Sequence, residues 1–339
     1  MNAPKPILAF RSGRTRILRP FVIAVLAILG VLGAGGYIGS GQAIGDHPEW
    51  RKMLKTPGDY GLRSEVVAFP STDGIELKAW WLPAQIPGEA PKLLPAQVAP
   101  AANVILAHGR DENRSGMLPR AVFLVRNGYN VLAVDLRNHG ESQGNYITPG
   151  YLEALDILGG VAYLREHQEK GPIFVLGFSY GAVAALHAAA QSSDISAIIA
   201  DSAFISTSDI LKNAANRTEI PLKYRIGIWF ARLPLLDFSS DLAFRLRTGV
   251  ELDRTKASAA SAIERIRRQP ILFISGEGDW LAPTQNARRM YQEAHHPQKA
   301  LLVVPGAGHN STYRAAPQLY EAKVLEFLAQ NLPSASSHH

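Results

Sequence analysis

A serine sits at Ser179 with a glycine two places away on either side, in Gly177-Phe178-Ser179-Tyr180-Gly181. The apolar, β-branched run "IFVLG" precedes it and an alanine-rich run follows it, so the hydroxyl falls where a strand becomes a helix. A hydroxyl is a poor nucleophile near neutral pH until a base removes its proton. A sharp strand-to-helix turn exposes the oxygen at a helix N-terminus, and it needs small flanking residues because a Cβ there would strike the neighbouring chain. The plainer reading of Ser179 is an ordinary helix N-cap after a glycine turn.

Two later strand ends carry the partners that such a serine needs. "ILFISGEGDWLAP" leaves a strand and presents Asp279, and "LLVVPGAGHNST" leaves the next and presents His309. The order Ser, Asp, His along the chain suits a general base, His309, whose tautomer is fixed by a carboxylate, Asp279. Asp201 also ends a strand and is the substitute for Asp279; Glu277 is a nearby decoy. The competing readings are a surface-loop histidine and a solvated turn acid. Acyl transfer also needs donors for a developing oxyanion. "ILAHGRDEN" ends an earlier strand, which makes the backbone N–H groups of Tyr180 and Arg110 the natural pair. His108 is expected to brace that loop. Asp135 and His139, in "AVDLRNHGES", precede the serine and lack metal-ligand spacing, so they are expected to shape a loop.

These groups must be held by alternating strands and helices. "EVVAF" and "IELKAWWL", split by "PSTDG", predict a β-hairpin. Pro83 to Asn103 contains five prolines and reads as an irregular loop. Short apolar strands then end at Ala107, Asp135, Gly177, Asp201, Ser275 and Val304, with helices predicted near Met117 to Asn127, Tyr151 to Gln168 and Ala315 to Asn331. That alternation implies parallel pairing with helices on both faces, and chemistry gathered at the carboxyl ends of the strands. A helical insertion at about 203–262 interrupts the rhythm; with Tyr224, Trp229, Phe230 and Phe238 it could fold over the site as a lid.

Five basic residues, Lys5, Arg11, Arg14, Arg16 and Arg19, crowd the first twenty positions with no acid among them. The net charge is +6, so the remainder is close to neutral and no nucleic-acid face is implied. The chain has no cysteine, which excludes disulfides, thiolate metal sites and a cysteine nucleophile. Phe21 to Gly45 carries no charge. As a helix it would reach about 37 Å at about 1.5 Å per residue, beyond a hydrocarbon core of about 30 Å. With the basic flank inside, it predicts a single-pass anchor that places the rest of the chain outside the cytoplasm. A signal peptide cleaved after Ala43 is the rival, and would make the chain secreted. The predicted organisation is thus a basic stretch 1–20, an anchor 21–45, and a catalytic domain 46–339.

Taken together, "LAHGR", "VDLRNHGES", "GFSYG", "SGEGDWLAP" and "GAGHN" resemble the α/β-hydrolase superfamily across about Glu65 to Asn331, and "STDGIELKAWWLPA" resembles its opening hairpin. Within it, the chain is similar to membrane-anchored, single-pass esterase/peptidase-like hydrolases, in which Asn follows the catalytic His. The resemblance implies an α/β fold with a mostly parallel, eight-stranded sheet and a helical lid, and assigns the triad to Ser179, Asp279 and His309. It implies a serine hydrolase of esters or thioesters, with no metal and no organic cofactor. A peptidase or amidase is the alternative within enzymes, and a non-catalytic interaction module the alternative outside them. The lid matches no pattern that would define a substrate; its apolar character favours a hydrophobic acyl group.

Overall fold

The computed structural model describes residues 47–85, 102–167, 171–218 and 234–332, with 25, 26, 28–35, 37, 44, 45 and 222. Eight strands form one sheet: β1 (Glu65–Pro70), β2 (Glu76–Leu82), β3 (Asn103–Ala107), β4 (Asn130–Val134), β5 (Ile173–Phe178), β6 (Ile195–Asp201), β7 (Ile271–Gly276) and β8 (Lys299–Val304). Their spatial order is β1-β2-β4-β3-β5-β6-β7-β8. Strand β2 runs antiparallel to both β1 and β4, and every other pairing is parallel. This is the mostly parallel sheet that the alternation predicts.

The inner strands are buried on both faces, and their side chains alternate between two cores. On one face Ile105, Leu132, Val175, Ile198 and Phe273 meet helices α2 (Glu153–Glu166) and α3 (Tyr180–Ala189). On the other Val104, Leu106, Val131, Phe174 and Leu272 meet α1 (Leu118–Arg126) and the closing helix α8 (Pro317–Gln330). Helix α2 forms where the sequence predicts one, but it buries charge. Its first turn buries Glu153 and Asp156, and Gly159 lies so close to β1 that a Cβ would come 2.4 Å from the Pro70 carbonyl oxygen. Both acids are consumed locally: Glu153 accepts from Thr148 and the Gly150 N–H, and Asp156 pairs with the buried Arg137.

The insertion contains α4 (Thr207–Ala215) and α5 (Pro234–Thr248), followed by α6 (Ala259–Arg265); α7 (Thr284–Glu293) fills the crossover between β7 and β8. Asn213 on α4 donates to the Leu281 carbonyl at 3.4 Å, and Phe204 lies 5.3 Å from the Tyr180 ring, so the start of the insertion touches the strand-end side. Of the four aromatics expected in the lid, Tyr224, Trp229 and Phe230 lie outside the described residues, and Phe238 is exposed on α5. The basic stretch 1–20, most of the anchor 21–45 and most of the proline-rich loop also lie outside them. Among the described residues no helix is long and apolar enough to cross a membrane.

The sheet's connectivity reverses around β3, because β4 lies on one side of it and β5 on the other. Ala107 of β3 pairs in register with Gly177 of β5. The loops that leave these two strands are therefore neighbours at the switch point, where open α/β sheets bind their ligands.

Candidate active site

Ser179 stands at that point, between β5 and α3, with φ +52° and ψ −111°. A side chain other than glycine meets strain there, so the surroundings must hold it. They do. The Ser179 N–H donates to the Asp201 carbonyl at 2.8 Å, and its own carbonyl accepts from Ala182 and Val183. A Cβ on Gly177 would come 2.1 Å from the Gly181 carbonyl oxygen, and one on Gly181 would come 2.2 Å from that of Ala107. The two glycines let the turn close against β3.

Three predicted side chains come together. Ser179 Oγ lies 2.8 Å from His309 Nε2, and His309 Nδ1 lies 2.8 Å from Asp279 Oδ2. The residues come from the loops after β5, β8 and β7 respectively. A carboxylate only accepts, so Nδ1 carries the imidazole proton and Nε2 is left to accept from the serine hydroxyl. Asp279 is buried, and its other oxygen, Oδ1, accepts the N–H groups of Leu281 and Ala282 at 3.0 and 2.8 Å. That bonding leaves Oδ2 aimed at the imidazole. The two partner loops are tied together, since a Cβ on Gly276 would come 2.4 Å from the Ala307 carbonyl oxygen. Such an array can move a proton from Ser179 to His309 while Asp279 stabilises the imidazolium.

The predicted oxyanion donors flank the serine. Tyr180 is the first residue of α3, where backbone N–H groups have no carbonyl partner within the helix. A Cβ on Gly109 would lie 3.4 Å from Ser179 Cβ, so the chain that carries Arg110 passes in contact with the nucleophile. His108 is fully buried; its Nδ1 donates to the Gly109 carbonyl and its Nε2 accepts from the Leu136 N–H, which braces the loop. Burial pulls its pKa down to about 4 and keeps it neutral. His139 stacks on Trp50 and meets His108 edge-on. Asp135 is locked to Arg114 and accepts backbone N–H groups from Arg114 and Glu141. Burial raises its pKa to about 6. Among the described residues, no cluster of His, Asp or Glu is arranged to hold a metal ion.

Asp201, the substitute for Asp279, does not reach the imidazole. Its carboxylate accepts from Arg120, Thr312, Tyr320 and Ser202. Ser202 Oγ lies 3.4 Å from the His309 carbonyl, so this cluster supports the histidine loop from behind. Arg120 and Glu112 were not legible as site residues: Glu112 is one charge among several in "GRDENR", and Arg120 is a lone charge in the first turn of an apolar helix. Burial raises the pKa of Glu112, against the opposing pull of the Arg120 charge and the Gly109 N–H.

Residues 104–323 match the sequence model of the family described as "Alpha/beta hydrolase family". The chain belongs to that family. This α/β hydrolase is 31% identical over 228 residues to "Uncharacterized protein YqkD" of Bacillus subtilis, covering 66% of its own length and 70% of that protein. It is 25% identical over 285 residues to "Protein bem46" of Schizosaccharomyces pombe, covering 83% of its own length and 82% of that protein. Among solved structures it resembles an esterase of Pyrococcus furiosus at TM-score 0.65 and 26% identity, over 86% of this hydrolase and 99% of that chain.

Proposed function

We propose that the chain is a serine hydrolase that cleaves a carboxylic ester or thioester through an acyl-enzyme. Ser179 Oγ attacks the acyl carbon as His309 Nε2 takes its proton. The backbone N–H groups of Tyr180 and Arg110 receive the carbonyl oxygen as it becomes an oxyanion. The imidazolium, held by Asp279, returns the proton to the leaving alcohol or thiol. Water then repeats the sequence on the acyl-serine, with His309 again as base, and releases the acid. No step needs a metal or an organic cofactor.

One observation carries this reading: the unbroken chain of two 2.8 Å contacts from Ser179 Oγ through His309 to Asp279. The esterase of Pyrococcus furiosus, similar over most of both chains, supports the ester class. The peptidase reading needs an acid that binds a substrate amine. Burial of Glu112, beside the site, disfavours its charged form, and a neutral carboxyl is a poor partner for a substrate ammonium, which favours esters. The non-catalytic module is disfavoured because all three triad positions are filled and in contact. A fluorophosphonate probe should label the protein, and Ser179→Ala should abolish labelling; undiminished labelling of that variant rejects the assignment. A panel of acyl esters of graded length, run beside aminoacyl amides, separates ester from amide preference.

We further propose, independently of the chemistry, that the protein is held on a membrane, or is secreted if the N-terminal segment is cleaved. The charge-free stretch Phe21 to Gly45 anchors it, the basic N-terminus stays in the cytoplasm, and the hydrolase domain stands outside. The insertion at about 203–262 serves as a lid that favours a hydrophobic acyl group.

A further inference from the structure

Four rings pile outward from the loop that passes the nucleophile, and the outermost belong to the segment just ahead of the sheet. His47 stacks on Trp50 at 3.6 Å and 16°, Trp50 stacks on His139 at 4.8 Å and 13°, and His139 meets His108 edge-on at 4.9 Å. Trp50 is only 3% exposed. The Arg110 guanidinium lies over the same indole, 5.6 Å from the ring centre. The backbone N–H of Arg110 is one of the two donors assigned to the oxyanion.

That donor needs a brace. An N–H stabilises an oxyanion well only if it is aimed before the charge develops. Asp111, the next residue, has φ +61°, left-handed backbone that its surroundings must hold. His108 fixes the inner end of the loop. The segment around Trp50 fixes the outer end. Asn113 Nδ2 donates to the Trp50 and Lys52 carbonyls, each at 3.0 Å, and the Gly140 N–H donates to the Trp50 carbonyl at 3.1 Å. Between these ends Arg110 pairs with Asp111 at 3.2 Å, but the two side chains are 31% and 61% exposed, and an ion pair in solvent holds little. The buried indole is the firmer surface for the guanidinium. The Arg110 charge also reaches Tyr180, which carries the other donor: it opposes the rise that burial gives the Tyr180 hydroxyl pKa.

We infer that Trp50 is a positioning residue for the oxyanion donor at Arg110, acting through its ring on the Arg110 guanidinium. Trp50 touches no reacting atom. The segment that follows the charge-free stretch is then part of the active site as well as a tether to it. The inference rests on the hydrolytic reading.

Per-site kinetics of the full chain on p-nitrophenyl butyrate test it, with active sites counted by end-point labelling with a fluorophosphonate. Trp50→Leu removes the ring and stays apolar; Trp50→Phe keeps a ring. Trp50→Leu should lower kcat per labelled site about ten- to a hundredfold, less than loss of a whole donor, with KM held within about twofold. A trifluoromethyl ketone, whose adduct with Ser179 places an oxyanion against the same donors, should bind more weakly by the same factor. Trp50→Phe should restore most of both. Fewer labelled sites with unchanged kcat per site would mean that the ring only stabilises the fold, and overturns the inference. Arg110→Ala alters a partly exposed side chain and leaves its N–H in place, so it probes the same contact even where Trp50→Leu fails to fold. It should give the same fall in kcat per site, and full retention overturns the inference. The two losses should not add: Trp50→Leu placed on Arg110→Ala should cost no further kcat, and additive losses would mean that Trp50 does not act through Arg110. A failure of the hydrolytic reading looks different, because the unsubstituted chain would then neither label nor turn over the ester, and the inference falls with it.

Discussion

Arg120 and Asp201 meet at 2.7 Å in the interior, directly behind the strand that ends in the nucleophile. Arg120 lies over the Phe178 ring, and the backbone carbonyl of Asp201 receives the Ser179 N–H. The Asp201 carboxylate also holds Thr312 and Tyr320, which belong to the histidine side of the site. One buried ion pair thus joins α1, the end of β6 and the His309 loop. Removing one partner of such a pair leaves the other charged and unpaired, at about 3–5 kcal/mol. Arg120→Met should lower unfolding free energy by that amount in urea titrations. A change under about 1 kcal/mol would mean the pair is dispensable.

The two strand-end acids should then separate by experiment. Asp279→Asn keeps an oxygen to accept from Leu281 and Ala282, so folding is expected to hold. It no longer presents a carboxylate to Nδ1, and the imidazole can turn to the wrong tautomer. Activity should fall about ten-thousand-fold with a near-native urea midpoint. Asp201→Asn should do the reverse in emphasis: marked destabilisation, and a smaller loss of turnover by misplacement of the histidine loop. If Asp201→Asn cost more activity than Asp279→Asn at matched folded fraction, the roles argued for the two acids would have to be exchanged.

The turn itself gives a steric prediction. A Cβ on Gly181 would sit 2.2 Å from the Ala107 carbonyl oxygen, which is backbone of the central strand and cannot swing away. Gly181→Ala should therefore unfold the protein or force β3 and α3 apart, with loss well above the roughly 1 kcal/mol of a typical substitution. Gly306→Ala is the comparison, because no atom lies within contact distance there and only its φ of +65° resists. It should cost about 1–2 kcal/mol. Similar midpoints for the two variants would show that β3 yields more easily than its burial implies.

The sheet was legible because its inner strands are short, apolar and rich in β-branched residues, and helical patterns separate them. Ser179, Asp279 and His309 stood out because each follows such a strand in a glycine-containing loop. Arg120, Glu112 and Asp201's bonding were hidden for the opposite reason. Arg120 sits on a helix and meets Asp201 81 positions later, and no local pattern encodes a contact of that range. The burial of Glu153 and Asp156 was hidden too. Acids at a helix start read as solvated first-turn residues, and only Arg137 and the Thr148 to Gly150 turn, folded against them, explain their place. Asn113 begins a glycosylation triplet, yet its side chain is buried and donates to the Trp50 and Lys52 carbonyls.

Buried neutral histidines set an acid limit on stability. His187, on α3, lies between the Ala257 carbonyl at 3.2 Å from Nε2 and the Arg265 guanidinium at 3.3 Å from Nδ1. Nε2 therefore donates and Nδ1 accepts, and a second proton would point at a cation. Burial first, then Arg265, pulls the pKa down to about 4 against the carbonyl's opposing pull. The unfolded chain takes this proton near pH 6.5, so its stabilising effect is complete above that value and is lost as pH falls through 6.5 toward about 4. His108 behaves alike, with the same folded value. Each should withdraw up to about 3 kcal/mol over that window. His187→Gln, which keeps a donor for Ala257 and has no proton to gain, should lose less stability between about pH 7 and about pH 4 than the unsubstituted chain, by up to about 3 kcal/mol, while His108 and the buried His139 keep their share. Urea midpoints across that range measure it, and parallel curves for the two proteins would mean that His187 already carries its second proton in the folded state or never exchanges it on unfolding.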